Sequence, residues 1–336
     1  MKAWQLNDFG LENLVLSNVN LPEPKPNEIV VKVSAVSLNY RDKAIVDGIY
    51  EPEKMPKGLI PVADAAGVVV QTGSAVTRFT EGDRVASHLY SRWIDGAPAE
   101  DEPDFCLGGP INGGLAEYML LEETAAVASP DVLTDEEVST LPIAALTPWF
   151  SMVENGKLRA GQTVVVQGTG GVSIFAAQIA SAYGARVIAT SSSDDKLSRI
   201  AALGATDLIN YNTTPDWATR VRELTDGVGA DQVLDVVGGD GLNKSIAAAR
   251  PTGLVSVIGF LSGQTSNLDL MQLIFNKTRI QGIAVGHRRA FEEMNEFFEK
   301  HTIKPVIEKV YGFDEVHEAY EHLSRGAFGK VVIRVG

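Results

Sequence analysis

Cysteine is almost absent from this chain, and histidine is sparse. The only cysteine is Cys106, so no internal disulfide can form and no cysteine-rich metal site can be built. The five histidines are scattered along the chain, at His88, His287, His301, His317 and His322. Their spacing gives no ligand motif, and we expect most of them to lie at the surface or to bridge polar groups.

Positive charge and long apolar runs are also lacking. The chain has 29 lysines and arginines against 43 acidic residues, a net charge of −14 at pH 7, which argues against nucleic acid or an anionic membrane surface as a partner. No run approaches the roughly 18 apolar residues of a membrane span, and residues 1–8 contain no apolar signal core. We therefore expect a cytoplasmic protein that acts on a small molecule and holds any anionic cofactor by local geometry.

What the chain does contain is a strand–turn–helix–strand pattern that begins near residue 164. Residues 164–167 are mostly β-branched, as expected of a buried parallel strand, and they end at a glycine-rich turn. A helical segment rich in small residues covers 174–183, and a second strand covers 186–190. This context raises the glycine pattern above a chance match to a dinucleotide-binding motif.

The small residues of this turn each have a physical role in such a motif. Gly168 allows the tight turn, Gly170 lets the backbone approach a pyrophosphate, and Ser173 lets helix and strand pack closely. The helix N-terminus then presents unpaired N–H groups and the positive end of its dipole to the phosphates. The pattern therefore predicts a dinucleotide cofactor.

The end of the second strand indicates which cofactor is preferred. Chains that bind NAD usually place Asp or Glu there, whereas this chain has Ser191, Ser192 and Ser193, with Lys196 one turn later. Hydroxyls and an ammonium suit a 2′-phosphate, so we predict NADP(H). Alternatively, a serine caps the next helix, as Ser193 before two aspartates would do. The two roles can fall on different serines.

The N-terminal third of the chain is rich in predicted strands. Residues 29–36, 65–70 and 82–86 have the composition of strands and are separated by proline- and glycine-containing turns. Residues 91–114 form a long, irregular and acidic stretch, which in compact domains is typically functional or mobile.

From about residue 135, helices and strands alternate. Further strands are predicted at 207–210, 231–237 and 254–258, with helices between them at 215–224 and 241–249. Repeated strand–helix–strand units with buried strands form a doubly wound parallel sheet, so we predict an α/β fold. The C-terminal part continues with strands at 279–285, 306–311 and 330–335 and helices at 288–300 and 314–323.

Six further motifs stand in a specific order along the chain. They are residues 37–42, 61–69, 82–85, 113–118, 203–205 and 329–333. Together with the glycine turn, they resemble the medium-chain dehydrogenase/reductase superfamily over nearly the full length of the chain.

That resemblance implies a domain arrangement. A Rossmann domain at 126–266 would be inserted into a β-rich, GroES-like catalytic domain formed by 1–125 and 267–336, with the active site in the cleft. Many members of the superfamily form dimers through the edge of the Rossmann sheet. We therefore expect a homodimer, with the strand near 280–285 as the edge.

The alcohol dehydrogenases of the superfamily hold a catalytic zinc, and this chain departs from their ligand pattern. Aligned by motif, the ligand positions fall on Asn39, on Ala63 and on or near Ile143. Alanine and isoleucine have no side-chain donor, and an Asn amide is a poor zinc ligand. The segment that would carry a four-cysteine structural zinc, 86–114, contains a single cysteine. We therefore predict that the chain binds no zinc.

The remaining pattern resembles the zinc-independent branch, which contains quinone oxidoreductase-like and enone reductase-like enzymes. The resemblance implies that cofactor contacts come from the glycine turn, the strand ends and the catalytic domain. These predicted contacts are Asn39, Thr147, Gly168, Thr169, Gly170, Gly171, Val172, Ser191, Ser192, Lys196, Tyr211, Val237, Gly238, Ile258, Gly259, Phe260, Phe328, Gly329 and Lys330. Structural roles are the alternative at three places: Asn39 as a helix cap, Thr147 as an ordinary helix residue and 328–330 as a turn.

We therefore expect an NADPH-dependent oxidoreductase that transfers hydride to a quinone or an α,β-unsaturated carbonyl, whose conjugation delocalises charge without a metal. Tyr40 is the predicted proton donor or oxyanion partner, with water as the rival and core packing as the structural alternative. Tyr50, Trp93 and Trp149 would line an apolar substrate pocket. A metal-free NADP-dependent alcohol dehydrogenase or ketone reductase is a second hypothesis, and a non-enzymatic NADPH-binding sensor is a third.

Overall fold

The computed structural model describes residues 1–336. Its strands are β1 (Lys2–Leu6), β2 (Leu14–Asn18), β3 (Glu28–Leu38), β4 (Ala65–Thr72), β5 (Arg84–Ser87), β6 (Tyr118–Glu122), β7 (Ala126–Ala128), β8 (Thr163–Gln167), β9 (Arg186–Ser191), β10 (Asp207–Asn210), β11 (Ala230–Asp235), β12 (Ala249–Val257), β13 (Arg279–Gly282), β14 (Ile307–Tyr311) and β15 (Lys330–Arg334).

The helices are α1 (Tyr40–Val46), α2 (Asp135–Val138), α3 (Leu146–Trp149), α4 (Gly171–Ala182), α5 (Asp194–Ala201), α6 (Trp217–Leu224), α7 (Leu242–Ala248), α8 (Leu270–Asn276), α9 (Arg288–His301) and α10 (Val316–Ser324). A π-helical segment, Phe150–Asn155, follows α3. No helix is both long and apolar enough to cross a membrane.

The chain folds into two compact units, one formed by 1–146 with 286–336 and the other by 147–285. These bounds differ from the predicted division after 125 and after 266. The difference arises from strand pairing, because β7 pairs with β5 of the first unit and β13 pairs with β12 of the second. The short strand β7, which follows the predicted boundary at 125, therefore belongs to the first unit. The short strand β13, which follows the predicted boundary at 266, belongs to the second unit.

The second unit is built on a six-stranded parallel sheet in the order β10-β9-β8-β11-β12-β13. Its first strand in the chain, β8, lies in the middle, and Val164, Val165 and Val166 of that strand are fully buried. Burial on both faces explains why this strand is a continuous apolar run. The predicted doubly wound α/β fold is confirmed.

Strand order reverses between β8 and β11, which pair directly. The chain leaves β8 toward one edge of the sheet, through β9 and β10, and returns on the other side of β8 as β11. In open sheets of this kind, ligands bind beyond the carboxyl ends of the strands at such a reversal.

Helices α6 and α7 pack on the sheet through apolar side chains. Val221 of α6 and Ile246 of α7 pack with Val165, Val233 and Val255 of the sheet in one fully buried cluster. Burial of each such aliphatic side chain contributes roughly 1.5–3 kcal/mol relative to exposure.

The first unit is built around a seven-stranded sheet in the order β14-β15-β3-β4-β5-β7, with β6 also paired to β3. The eleven-residue β3 is its central strand. The β3–β4 register shifts between Val30 and Val31 and again between Val33 and Ala35, and such irregularities bend a strand. This β-rich unit confirms the predicted GroES-like domain. The β1–β2 hairpin and α8 were not predicted.

Candidate functional site

Five parallel strands of the second unit end at one edge, and the predicted cofactor residues of this unit lie there. Gly168 follows β8, Ser191 ends β9, Tyr211 follows β10, Val237 lies just beyond β11 and Ile258 follows β12. The carboxyl ends of parallel strands share an edge of the sheet, so residues distant in sequence are collected on one side.

The glycine turn has the geometry that a pyrophosphate needs. Gly168 adopts a φ of +74° and donates its N–H to the carbonyl of Thr190 at 2.7 Å, while Gly170 is the N-cap of α4. A Cβ placed on either glycine would meet no atom within 4 Å, so both face open space. The α4 N-terminus, which begins at Gly171 and Val172, presents unpaired N–H groups beside that space. The turn therefore fits the group that the resemblance implies.

A side-chain hydrogen bond fixes this turn. The hydroxyl of Ser173 donates to the carbonyl of Gln167 at 2.6 Å and lies buried, so the third small residue of the motif ties α4 to β8. Thr169, between the glycines, is also buried.

The three serines after β9 have separate roles. Ser193 is the N-cap of α5, because its hydroxyl accepts the N–H of Lys196 at 3.3 Å. The hydroxyl of Ser191 is buried and accepts the N–H of Ser193, whereas Ser192 is exposed. The N–H of Tyr211 donates to the carbonyl of Ser191 at 3.0 Å, and the tyrosine is largely exposed. An exposed hydroxyl, a phenol and the Lys196 residue therefore lie on adjoining turns, where the 2′-phosphate contacts are predicted.

A buried carboxylate that sequence reasoning missed organises the strand reversal. Asp235, the last residue of β11, is completely buried, and its Oδ1 accepts the N–H groups of Val237 at 3.0 Å and Gly238 at 2.8 Å. Its Oδ2 accepts the hydroxyl of Ser245 at 2.7 Å, which in turn accepts the side-chain N–H of Gln167. The network thus joins the ends of β8 and β11. The sequence does carry a signal for this role, because Asp235 is a charged residue within the predicted buried strand at 231–237.

The loops after β11 and β12 approach each other so closely that only glycine fits. Gly238 has a φ of +67°, and a Cβ there would lie 2.7 Å from the carbonyl oxygen of Gly259. A Cβ on Gly259 would lie 2.1 Å from the carbonyl oxygen of Val236. The N–H of Ile258 donates to the carbonyl of Asp235 at 2.8 Å. The predicted contacts in these loops, including Phe260, therefore belong to a constrained structure.

In the first unit, a second polar cluster forms where three strands meet. Leu38, the last residue of β3, pairs with Val331 of β15, while Val36 pairs with Ala65 of β4. The residues just before these partners, Lys330 and Asp64, therefore flank the end of β3. Antiparallel pairing brings together residues that are almost 300 positions apart.

Asn39, the N-cap of α1, lies at the centre of this cluster. Its side-chain Nδ2 donates to Oδ2 of Asp64 at 2.8 Å, and its Oδ1 accepts from the ammonium of Lys330 at 2.6 Å. The same ammonium donates to the carbonyl of Leu38 at 2.8 Å. The backbone N–H of Asn39 donates to Asp42 at 2.7 Å, so helix capping and the amide network coexist.

The charged members of the cluster are withdrawn from water. Asp42 and Asp64 are fully buried, and Lys330 is nearly so. Burial raises the pKa of Asp64 to about 7 and also raises the pKa of Asp42. Burial lowers the pKa of Lys330, and the nearby carboxylates oppose that shift. Desolvation outweighs the opposite charges for each of these groups.

The three aligned zinc-ligand positions do meet in space, but their chemistry is unsuited to zinc. Asn39 Nδ2 and the backbone N–H of Ile143 both donate to Oδ2 of Asp64, and the Lys330 ammonium lies 3.9 Å from that oxygen. The side chain of Ala63 offers no ligand atom. Zinc is a cation and needs ligand atoms that offer lone pairs to it. Here N–H groups and an ammonium surround a carboxylate oxygen, so the site suits a negative charge. The chain also contains no group of three or more His, Cys, Asp or Glu residues suited to a metal ion.

The predicted catalytic and substrate residues lie in different surroundings. Tyr40 is the first residue of α1 and is partly exposed. The ring of Tyr50 lies 5.2 Å from the guanidinium of Arg41. Trp93 is buried in the 91–114 stretch, where its indole N–H donates to the carbonyl of Gly96. Trp149 belongs to the second unit and is buried. The catalytic and substrate roles of these residues stay predictions.

The remaining predicted contacts are packed. Thr147 and Phe328 are buried, and Gly329 has a φ of +83° with the carbonyl of Val306 only 2.3 Å from a hypothetical Cβ. The Lys330 ammonium donates to the carbonyl of Leu38 and to Oδ1 of Asn39. The sequence predicted a cofactor contact for Lys330 and did not predict these two hydrogen bonds.

Comparisons with known proteins agree with this architecture. Residues 25–131 match the family described as alcohol dehydrogenase GroES-like domain, and residues 171–300 match zinc-binding dehydrogenase. A zinc-type alcohol dehydrogenase-like protein of Schizosaccharomyces pombe is 39% identical, over 97% of this chain and 96% of its own. The chain belongs to the medium-chain dehydrogenase/reductase superfamily.

Within the superfamily, its relatives carry different names. An NADPH-dependent alkenal/one oxidoreductase of Arabidopsis thaliana is 30% identical, over 99% of this chain and 79% of its own. A quinone oxidoreductase of Pseudomonas aeruginosa is 33% identical, over 78% of this chain and 74% of its own. The crystal structure titled putative alcohol dehydrogenase from Sinorhizobium meliloti is 44% identical, covers 99% of this chain and 98% of its own and has a TM-score of 0.92. The protein is thus an oxidoreductase of this superfamily.

Proposed function

We propose that the protein is a zinc-independent, NADP(H)-dependent oxidoreductase that transfers hydride to a quinone or an α,β-unsaturated carbonyl. The observation that carries the proposal is the network around Asp64. N–H groups of Asn39 and Ile143, two of the positions that align with zinc ligands, and the ammonium of Lys330 face its carboxylate. Without a Lewis acid, an acceptor that delocalises its own charge is favoured.

In this proposal the second unit binds the cofactor. The turn at Gly168 and Gly170 and the start of α4 hold the pyrophosphate, and Ser192, Lys196 and Tyr211 hold the 2′-phosphate. When bound, NADPH supplies the hydride. The chain itself orients the reactants, excludes water and supplies a proton, for which the phenol of Tyr40 is the proposed donor and water its rival.

The names of the relatives support both the acceptor class and a competing one. Alkenal/one oxidoreductase and quinone oxidoreductase are names of enzymes that act on conjugated acceptors. The names of the more similar yeast relative and bacterial structure refer to alcohol dehydrogenases. A metal-free NADP-dependent ketone reductase is therefore the second candidate function, and simple ketones belong in the acceptor panel.

We also propose that the protein is a cytoplasmic homodimer, paired through the β13 edge and α8. β13 is the edge strand of the six-stranded sheet and pairs only with β12. Helix α8 follows β12 in the chain. The side chains of Leu270, Met271, Ile274 and Phe275 on α8 are all strongly exposed, Phe275 to 73%. An exposed apolar face on a helix that packs on β12, together with the unpaired edge of β13, matches a second copy of the same surface.

The decisive experiment follows NADPH oxidation by absorbance with quinones, enones and ketones, with and without a chelator. Turnover of conjugated acceptors that a chelator leaves unchanged is the expected result. Loss of turnover with chelator would overturn zinc independence, and turnover confined to ketones would favour the second candidate. Tight NADPH binding without turnover of any acceptor would instead indicate a non-enzymatic sensor.

A further inference from the structure

Residues 91–102, which we call the strap, are docked on the N-terminus of α9. The N–H groups of Arg288 and Arg289 donate to the carbonyls of Trp93 at 2.9 Å and Ile94 at 3.0 Å. The first N–H groups of a helix have no partner within the helix. The strap therefore supplies two of the acceptors that α9 needs, and both elements belong to the first unit.

His287 supplies a third acceptor and contacts the strap at the same time. Its Nδ1 accepts the N–H of Ala290 at 3.0 Å, which makes it the N-cap of α9. The ring is buried and meets the indole of Trp93 edge-on, with 5.7 Å between the ring centroids. Its Nε2 lies 3.5 Å from Oδ1 of Asp95. One side chain thus joins the helix cap to the strap.

The cap fixes the protonation state of this imidazole. Because Nδ1 accepts a hydrogen bond, it carries a lone pair, and the proton of the neutral ring is on Nε2. An imidazolium carries an N–H at both nitrogens. A second proton would therefore set an N–H of His287 against the N–H of Ala290, so the capped state requires the neutral ring.

The charges on α9 also disfavour a second proton on the ring. Arg289 donates its Nε–H to Asp95 at 2.9 Å, and its Nη2 lies 3.5 Å from Nε2 of His287. Arg288 is the next residue along the chain from His287. The carboxylates that pair with these arginines lie one turn further along α9, at Glu292 and Glu293. The positive charges are therefore nearer to the ring than these carboxylates in the chain.

We propose that the strap is an acid-sensitive latch, in which protonation of His287 breaks the cap on Ala290 and releases the strap from α9. A histidine outside such contacts titrates at about pH 6.5, so docking is fully favoured above that pH and weakens as the pH falls below it. Release exposes the indole of Trp93. The latch lies within the first unit and works without a cofactor or a substrate.

The other titratable groups around His287 do not account for release between pH 7.5 and pH 5. The hydrogen bond from Arg289 holds the pKa of Asp95 below its usual range, so this carboxylate stays charged. Burial lowers the pKa of His88, just after β5, to about 4, so that ring stays neutral. Burial raises the pKa of Glu102, at the end of the strap, so acid stabilises its buried state.

The test measures hydrogen exchange at pH 7.5 and pH 5 by mass spectrometry of the peptide that spans 286–292. Protection factors divide out the intrinsic pH dependence of exchange, so those of Arg288, Arg289 and Ala290 report how often strap and cap open. We expect them to fall by about tenfold to thirtyfold at pH 5, as for one histidine that must lose its proton to dock. Amides of the central strand β3 should keep their protection.

Two substitutions separate the latch from other effects of acid. In His287→Asn, the amide oxygen still caps Ala290 but does not titrate, so protection should be the same at both pH values. The matched control, His301→Asn, removes an exposed histidine at the opposite end of α9 and should lose protection at pH 5 as wild type does. Equal protection of wild type at both pH values would overturn the latch, as would a loss at pH 5 that persists in His287→Asn.

A direct measurement of the ring covers the case in which His287→Asn fails to dock. In protein labelled with ¹⁵N-histidine, the His287 signals are identified by their loss in His287→Asn. At pH 7.5 its Nδ1 should have the shift of an unprotonated nitrogen, and it should titrate with the same midpoint as the loss of protection. A ring that stays neutral while protection is lost would refute protonation as the trigger.

Discussion

The backbone N–H of Gly238 donates to Oδ1 of Asp235 at 2.8 Å, and this aspartate is completely buried. The bond holds the loop after β11 beside the carboxyl end of β8, where strand order reverses. A buried charge is costly unless it is hydrogen-bonded. Here the carboxylate oxygens accept N–H groups of Val237 and Gly238 and the hydroxyl of Ser245.

Replacement of Asp235 by alanine should therefore destabilise the second unit. The substitution leaves a part-buried N–H, a buried N–H and a buried hydroxyl without their acceptor. At about 1 kcal/mol or more for each group, we expect a loss of at least about 3 kcal/mol in unfolding free energy. Asp235→Asn keeps one acceptor and should lose less. Urea unfolding measures both, with Asp195→Ala on the exposed first turn of α5 as control. A wild-type midpoint for Asp235→Ala would contradict the role of this carboxylate.

Lys196 should distinguish the two nicotinamide cofactors. Lys196→Gln removes the ammonium predicted to bind the 2′-phosphate, so the NADPH dissociation constant should rise about tenfold or more while that for NADH stays within about twofold. Isothermal titration with both cofactors measures this. Lys157→Gln, before the opposite end of β8, is the control and should change neither. An equal loss for both cofactors would rule out the assignment.

The parts of the fold that depend on local sequence were predictable. The glycine turn predicted α4, and the apolar runs predicted the strands of the parallel sheet, with β10 at its observed bounds of 207–210. The prediction for β11 ran on to 237, but the strand ends at Asp235 because the chain turns there around the Asp235 carboxylate.

The parts that depend on distant pairing were not predictable. Lys330 was assigned a cofactor contact from its motif, but its bonds to Leu38 and Asn39 follow from the antiparallel pairing of β15 with β3. No local sequence pattern assigns a role to Asp64. No local pattern says that a lysine near the C-terminus and an aspartate near the N-terminus share one amide.

Stability should fall as pH rises toward neutrality. Burial raises the pKa of Asp64 from 3.8 to about 7, so between these values the folded chain keeps a proton that the unfolded chain has released. The unfolding free energy therefore decreases with pH across this window, by on the order of 1 kcal/mol per pH unit, and Asp42 contributes with the same sign.

Urea unfolding at pH 5, 6 and 7 measures this slope. Asp64→Asn should reduce it, because an amide does not titrate, while part of the slope due to Asp42 remains. If wild type and variant have the same slope, Asp64 does not keep its proton in the folded state.

Phe275→Glu should convert the proposed homodimer to monomers. The side chain lies on α8, which packs on β12, the neighbour of the edge strand β13. A carboxylate in the centre of an apolar interface would be buried without a partner. Sedimentation velocity measures the mass. Val228→Glu, an exposed apolar position on a loop of the same unit, is the control and should stay dimeric. A wild-type protein that sediments as a monomer would exclude this interface.

The arrangement around Asp64 also determines how hard it would be to turn this chain into a metalloprotein. A thiolate at Asn39 and an imidazole at Ala63 would supply two ligands, but the Lys330 ammonium, 3.9 Å from Asp64, would repel the dication. Removal of that ammonium first would strand the buried carboxylates without their counter-charge. Ligand substitutions and the loss of the Lys330 ammonium would therefore need to arise together on a path from the metal-free to the metal-bound state.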